Sequence, residues 1–344
     1  MTPRITVICP AYNRSTAILP TIHSVLDQTV PEWELLVVSD ASSDDTDDVV
    51  RSVGDDRIRL LRVGRYGSPG GPRNTGLAAA RAPYVAYLDH DDLWRPGHLA
   101  ILLDHLDAGE PLVSTGCVRV DAHGSPVERS GPLDRVWHPE LQAMNAMYEP
   151  SRVAHARQLA AAVGGWSEAT AGFEDWDLWF RLAAAGVDFS TAPERTAMLT
   201  LDAGTRRHTF GARHAVGLAR LADEAHGRRL LDRLAEPDTA RKLDECYVDD
   251  VQEWFAALAG SARLIRPAGT RIDDLVATVR TRVADGVAGS FLREVTVIPG
   301  GGGQVLALPT GPISAAHNSR IRELLGCRHR AQLGALADLV HQTR

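Results

Sequence analysis

The strongest constraint on this chain is the alternation of short apolar runs with helical patterns across its first ninety or so residues. Ile5–Pro10, Trp33–Ser39, Ile58–Val63 and Tyr84–Leu88 are runs of strand length, rich in β-branched residues. Between them, Ile18, Leu19, Ile22, Val25 and Leu26 recur at helical spacing within Ile18–Gln28. Ser42–Asp45 offers the hydroxyls and carboxylates of a helix N-terminus, and Arg73–Arg81 reads as a further helix. Strand–helix repetition of this kind predicts an α/β domain with a mostly parallel sheet. Ligands in such sheets bind beyond the carboxyl ends of the strands. That rule singles out Pro10–Asn13, Asp40 and Asp89–Asp92, each directly after a strand.

The rest of the chain changes character. Leu112–Val120 fits a further strand, and Glu174–Ala185 a helix with Trp176, Trp179, Phe180 and Leu182 on its apolar side. From about residue 212, Ala- and Leu-rich segments predict helices near 212–235, 238–260 and 272–288, and a last one over about 315–342. Glu294–Ile298 and Gln304–Leu308 around Pro299–Gly303 read as a β-hairpin near 293–308. The expected organisation is a domain over 1–211, with halves of about 1–110 and 111–211, and a mainly helical region over 212–344 that offers a surface for self-association.

Charge narrows the function. With 37 basic and 44 acidic residues the formal net charge is -7, and no Lys/Arg run occurs, which argues against a nucleic-acid partner. Cys9, Cys117, Cys246 and Cys327 lack metal-ligand spacing, so reduced thiols and a cytoplasmic setting are expected. Met1–Pro10 has no signal pattern and no stretch has the length and apolarity of a transmembrane segment. His98, His105 and His155 read as surface residues.

Leu88–Asp92 carries the densest chemistry, with three carboxylates in four positions after an apolar strand. Packed acids raise one another's pKa and call for a cation. A hard Mg²⁺ or Mn²⁺ shared with phosphates meets that need; a solvated acidic turn is the alternative. Asp40 can accept from a nucleobase N–H or a ribose hydroxyl, or cap a turn. Tyr12 can stack on a base. Gly70–Gly71 permit close backbone approach, and Arg73 at a helix start can reach a base or phosphates.

The segments VICPAYNR, LLVVSDASSDDT, GPRNTGLAAA and YVAYLDHDDLW, followed by GGWSEATAGFEDWDLWFRLA at 164–183, resemble family 2 of the inverting glycosyltransferases with the GT-A fold. The resemblance implies a Rossmann-like, mostly parallel sheet with flanking helices, and a nucleotide-diphosphate sugar as donor. UDP is the commonest donor nucleotide in that family. Carried over by position, Pro10, Tyr12, Asn13, Asp40 and Arg73 fall at the nucleoside. Asp89 and Asp91 match the Asp-x-Asp pair, Asp91 as direct metal ligand and Asp89 nearer the ribose. Asp92 would support the loop. His90, expected with them at the donor, stands where the family usually has a small residue. Asp175 matches the general base, with Glu174 beside it as the alternative. Trp166, Phe173 and Trp176 can desolvate that base or form a platform for acceptor or sugar. Asp177 and Arg181 fit a helix ion pair. In the related fold a late loop covers the donor; here Arg206–Arg207–His208 places Arg207 at phosphates and His208 at the metal.

The implied reaction is metal-dependent transfer of a sugar to an acceptor hydroxyl with inversion. The sequence lacks the Gln-x-x-Arg-Trp segment of processive synthases that resemble this family, so single transfer is expected. Two other readings use the same acids. A sugar-phosphate nucleotidyltransferase calls for a glycine-rich loop after the first strand, where Tyr12–Ser15 stands instead. A non-catalytic nucleotide-sugar-binding protein would not need its acids intact.

Overall fold

A computed structural model describes residues 2–144, 148–169, 172–201, 219–285, 304–305 and 314–344. The chain divides into two compact units, Met1–Phe210 with Ile265–Pro267, and Gly211–Leu264 with Ala268–Arg344.

The first unit begins with the alternation read from the sequence: β1 (Ile5–Ala11), α1 (Ile18–Leu26), β2 (Trp33–Asp40), α2 (Thr46–Ser52), β3 (Ile58–Val63), α3 (Gly70–Ala79) and β4 (Tyr84–Tyr87). The strands pair in parallel in the order β3-β2-β1-β4. Every residue of β1 and β2 is buried, which is why these strands read as continuous apolar runs. Ile5, Val7 and Cys9 pack on the α1 side with Ile18, Ile22 and Val25, while Ile8 points into a second core with Tyr87, Trp166 and Trp179.

The remainder adds β5 (Leu93–Trp94), α4 (His98–Asp107), β6 (Leu112–Val120), β7 (Pro126–Arg129), α5 (Pro139–Met144), β8 (Val153–Ala156), α6 (Arg157–Ala162), α7 (Glu174–Ala184) and β9 (Ser190–Thr200). The full sheet has nine strands in the order β3-β2-β1-β4-β8-β6-β9-β5, with β7 on β6. The expectation of a mostly parallel sheet holds for the first four strands and for β6 with β9. The sheet as a whole is mixed, because β8 inserts antiparallel between β4 and β6, and β5 and β7 also pair antiparallel.

Two residue sets lie elsewhere than the sequence suggests. Trp166 and Trp176 are buried, the first edge-on to Tyr87 and Trp179, the second donating to the Gln142 carbonyl, so they form core and not a platform. His98 and His155 are fully buried. His98 stacks on Trp94 and bonds Thr196, and His155 bonds the Tyr87 hydroxyl. Burial lowers their pKa values to about 3 and about 4, so both are neutral packing residues.

The second unit is helical: α8 (Glu224–Ala235), α9 (Pro237–Leu258), α10 (Ile272–Ala284), α11 (Ala315–Arg328) and α12 (Arg330–Gln342). Pro237 opens α9, where its missing N–H costs nothing. Leu243, Tyr247, Val251, Trp254 and Leu258 form its buried stripe. The last helical stretch is two helices divided at His329. Asp250 caps the second, its carboxylate accepting from the Ala331 and Gln332 amides, each at 2.9 Å. Gln304–Val305 is extended as expected and, among the described residues, pairs with Ala219–Arg220; the hairpin's other arm, residues 294–298, lies outside the described residues.

Candidate active site

The loops at the carboxyl ends of β1 and β2 are stitched together. Asn13 and Ala41 hold left-handed backbone, at φ 50° and 56°, a conformation that asparagine tolerates and alanine does not readily adopt. The Asn13 side-chain oxygen accepts from the Ser43 amide at 2.8 Å, the Arg14 amide donates to Thr46 Oγ1 at 2.8 Å, and the Ser15 amide donates to Asp44 at 3.1 Å. Asn13, placed by the sequence at the nucleoside, therefore braces the loops with its side chain and does not line the cavity they border.

That cavity is lined by Pro10, Tyr12, Arg14, Asp40, Arg73, Asp89, His90, Asp91, Asp92, Glu174 and Asp175, among others. The ends of β1, β2 and β4 meet there, as the strand-end rule requires, and the start of α7 joins them.

At one end stands Asp40. Its carboxylate accepts from the Tyr66 amide at 2.6 Å, from the Gly67 amide at 3.2 Å and from the Arg65 guanidinium. The Arg65 guanidinium lies 3.5 Å over the centre of the Tyr12 ring. The side chains expected to receive a base are thus covered by an arginine that the sequence reading did not single out. The signal was available: Arg65 follows β3 by two residues, at the end of a strand parallel to β2.

At the other end Arg73 is buried to 1% exposure. Its guanidinium donates to Asp89 at 2.7 Å and to Glu174 at 3.2 Å and lies 4.4 Å over Trp166. Burial works against its charge, but Asp89 and then Glu174 more than offset that, so its pKa stands above the ordinary arginine value. Arg73 is therefore committed to two carboxylates while it lines the cavity. The helix carrying it starts at Gly70, earlier than the sequence suggests. A Cβ at Gly70 would sit 2.2 Å from the Ser167 carbonyl oxygen, and one at Gly71 2.1 Å from the Tyr66 ring. These glycines serve helix packing.

Glu174 also accepts from the Gly172 amide at 2.8 Å, so both its oxygens are engaged by the protein. Asp175 is half-buried, and one of its oxygens accepts from the Trp176 amide at 2.7 Å. Further along α7, Asp177 and Arg181 form the expected ion pair at 2.6 Å.

The three acids after β4 differ in environment. Asp92 is a clip: Ser151 donates to one oxygen at 2.6 Å and the Thr200 amide to the other at 2.9 Å. Burial, then the Asp91 and Asp89 charges, push its carboxyl well above the usual range. Asp91 is also raised, first by burial, with Asp89 adding to it. Its nearest basic nitrogen is His90 Nε2 at 3.9 Å. That nitrogen is occupied, since Arg14 Nε donates to it at 2.7 Å, while His90 Nδ1 lies 3.0 Å from the Pro10 carbonyl oxygen. A guanidinium only donates and a carbonyl only accepts, so Nδ1 carries the hydrogen and Nε2 the lone pair. Both ring nitrogens of His90 face the protein, and donor contact through them is not available.

Among the described residues no group of three or more His, Cys, Asp or Glu side chains could hold a metal by itself. Asp91, in an acid-rich cavity, instead fits a hard cation that takes one or two carboxylates and completes its shell with phosphate oxygens and water. Arg207 and His208 lie outside the described residues.

The nine-stranded mixed sheet, with acids gathered at its parallel strand ends, has the α/β architecture of the GT-A fold. Residues 6–157 match the profile of Glycosyl transferase family 2. The succinoglycan biosynthesis protein ExoO of Rhizobium meliloti is 40% identical over 106 residues, covering 31% of this chain and 30% of that protein. The UDP-Glc:alpha-D-GlcNAc-diphosphoundecaprenol beta-1,3-glucosyltransferase WfgD of Escherichia coli is 43% identical over 90 residues, 26% of this chain and 36% of WfgD. The matched stretch is thus about a third of either relative. The crystal structure of S. aureus TarS 1-349 in complex with UDP-GlcNAc shares the fold at a TM-score of 0.53, with 19% identity over 69% of this chain and 68% of that one.

Proposed function

We propose that the protein transfers a sugar from a nucleotide-diphosphate sugar, with UDP as the leading nucleotide, to an acceptor hydroxyl with inversion and in single transfers. The observation that carries this is the convergence of Asp40, Asp89, Asp91 and Asp175, from separate elements, on one cavity at the strand ends. Asp175 is the general base. Glu174 is tied to Arg73 and the Gly172 amide, whereas Asp175 is half-buried at the cavity wall. A carboxylate there takes the acceptor proton as the hydroxyl attacks, a contribution of about 10²–10⁴ in rate. Bond breaking leaves positive charge on the sugar and negative charge on the departing diphosphate. Mn²⁺ or Mg²⁺ at Asp91, when bound, supplies Lewis-acid neutralisation of that leaving group. Asp89 reaches toward the ribose from its place on Arg73. Because ExoO is named for succinoglycan biosynthesis and WfgD for glucosyl transfer to a GlcNAc-diphosphoundecaprenol, the acceptor is a polysaccharide or its lipid-diphosphate-linked intermediate.

The test is a thermal-shift panel of UDP, GDP, dTDP and CDP, each with and without Mn²⁺ or Mg²⁺. Ligands of the native state raise the midpoint by mass action. A metal-dependent rise with one diphosphate, lost in Asp91→Ala, supports the reading. No rise with any nucleotide rejects it.

A further inference from the structure

Two arginines line the cavity among the described residues, Arg14 and Arg73. Arg73 is committed to Asp89 and Glu174. Arg14 is not so committed. It follows β1 in the stitched loop, where its own amide is held by Thr46 Oγ1 and the next amide by Asp44. Its Nε–H is aimed at His90 Nε2, and His90 is anchored through Nδ1 on the Pro10 carbonyl. Among the described residues the bonds of its side chain end there, so both terminal amino groups remain available to a ligand.

The cavity is acid-rich, with Asp40, Asp89, Asp91, Asp92, Glu174 and Asp175 on its walls. A diphosphate brings more negative charge into that field and needs a fixed cation besides any metal. A guanidinium held at Nε still presents both terminal N–H₂ groups as a planar fork, the geometry that pairs bidentately with phosphate. His90 now has a reason to stand between the two acids. A small side chain there offers no lone pair to Nε and leaves the long Arg14 side chain unaimed.

We propose that Arg14, aimed by His90, is the diphosphate-binding arginine of this cavity, and that His90 is its positioning residue. This rests on the nucleoside-diphosphate reading above.

Calorimetric titration of the full chain with the nucleoside diphosphate that wild type binds, metal present, tests it. Millimolar nucleoside in a thermal shift serves as the phosphate-free control. Arg14→Ala weakens the diphosphate about tenfold or more, as loss of a charge-assisted hydrogen-bond pair does, and leaves the nucleoside shift and the ligand-free melting point unchanged. His90→Ala gives a smaller loss. His90→Gln recovers most of it, because its amide can donate to Pro10 and accept from Arg14. The double variant Arg14→Ala/His90→Ala binds no more weakly than Arg14→Ala alone, since the two act as one unit. Equal diphosphate affinity in Arg14→Ala overturns the inference while the parent reading stands. So does an equal loss for the nucleoside, or strict additivity in the cycle. Failure of wild type to bind any nucleoside diphosphate removes the parent reading and this one with it.

Discussion

The two ends of the cavity each set carboxylate against arginine, and they do so in different media. At one end Asp40, its side chain 4% exposed, meets Arg65, whose side chain is 38% exposed. At the acid end Asp89 and Glu174 meet Arg73, whose side chain is 2% exposed. An exposed cation held in water exchanges partners at small cost, because such pairs contribute about 0.2–1 kcal/mol. A buried cation holding two acids is architecture: removing it leaves Glu174 buried, and Asp89 partly so, without compensation. The same pairing is therefore a removable cover at one end and a fixed lock at the other.

The largest expected effect lies beside the lock. Asp175→Asn lowers transfer by about 10²–10⁴ while donor affinity and melting point hold, checked by turnover and by donor titration. If Glu174→Gln reproduces that loss without destabilising the fold, Glu174 is the base, and the lock is itself catalytic. The next effect is on stability. Arg73→Met destabilises the first unit by about 3–5 kcal/mol, read from urea unfolding, because Asp89 and Glu174 lose their shared counter-charge. A midpoint equal to wild type would show that solvent already screens that end and would erase the contrast.

The contrast also marks what the sequence could tell. The parallel half was legible because β1 and β2, buried on both faces, leave uninterrupted apolar runs, and the strand-end rule then points at Tyr12, Asp40 and Asp89–Asp92. The start of α7 was legible through its motif, and α7 does begin at Glu174. What could not be read is which side chains satisfy one another. Nothing local says that Arg73 will be shared by an acid 16 residues away and another 101 away. Nor does it say that Asn13 turns to Ser43, or that β8 enters the sheet antiparallel. These are long-range pairings, set by register and burial. The close approach expected at Gly70–Gly71 is present, but its partners could not be read for the same reason, since Ser167 and Tyr66 belong to a distant and a preceding segment.

That glycine packing supports the lock and gives a smaller prediction. Gly70→Ala puts a methyl against the Ser167 carbonyl, where backbone must move. The expected cost is about 1–3 kcal/mol by thermal or urea unfolding. Gly97→Ala, where an added Cβ meets nothing within 4 Å, is the control for generic glycine replacement. Equal costs at both positions would mean that packing of α3 against Ser167 does not hold Arg73 in place.

The smallest effect tests the cover. A base that stacks on Tyr12 and bonds Asp40 has to displace Arg65, which occupies the ring face and the carboxylate together. The protein's own arginine thus competes with the ligand. Arg65→Ala removes the competitor and strengthens nucleoside and nucleotide binding alike, by no more than about fivefold for an arginine this exposed. Charge sharpens the assignment: Arg65→Gln, which keeps a donor but not the cation, falls between alanine and wild type. The gain fades at high salt, where the competing ion pair in wild type is already screened. Weaker nucleoside binding in Arg65→Ala reverses the picture. Arg65 would then touch the base itself, and the exposed end of the cavity would carry a binding residue where this comparison places a cover.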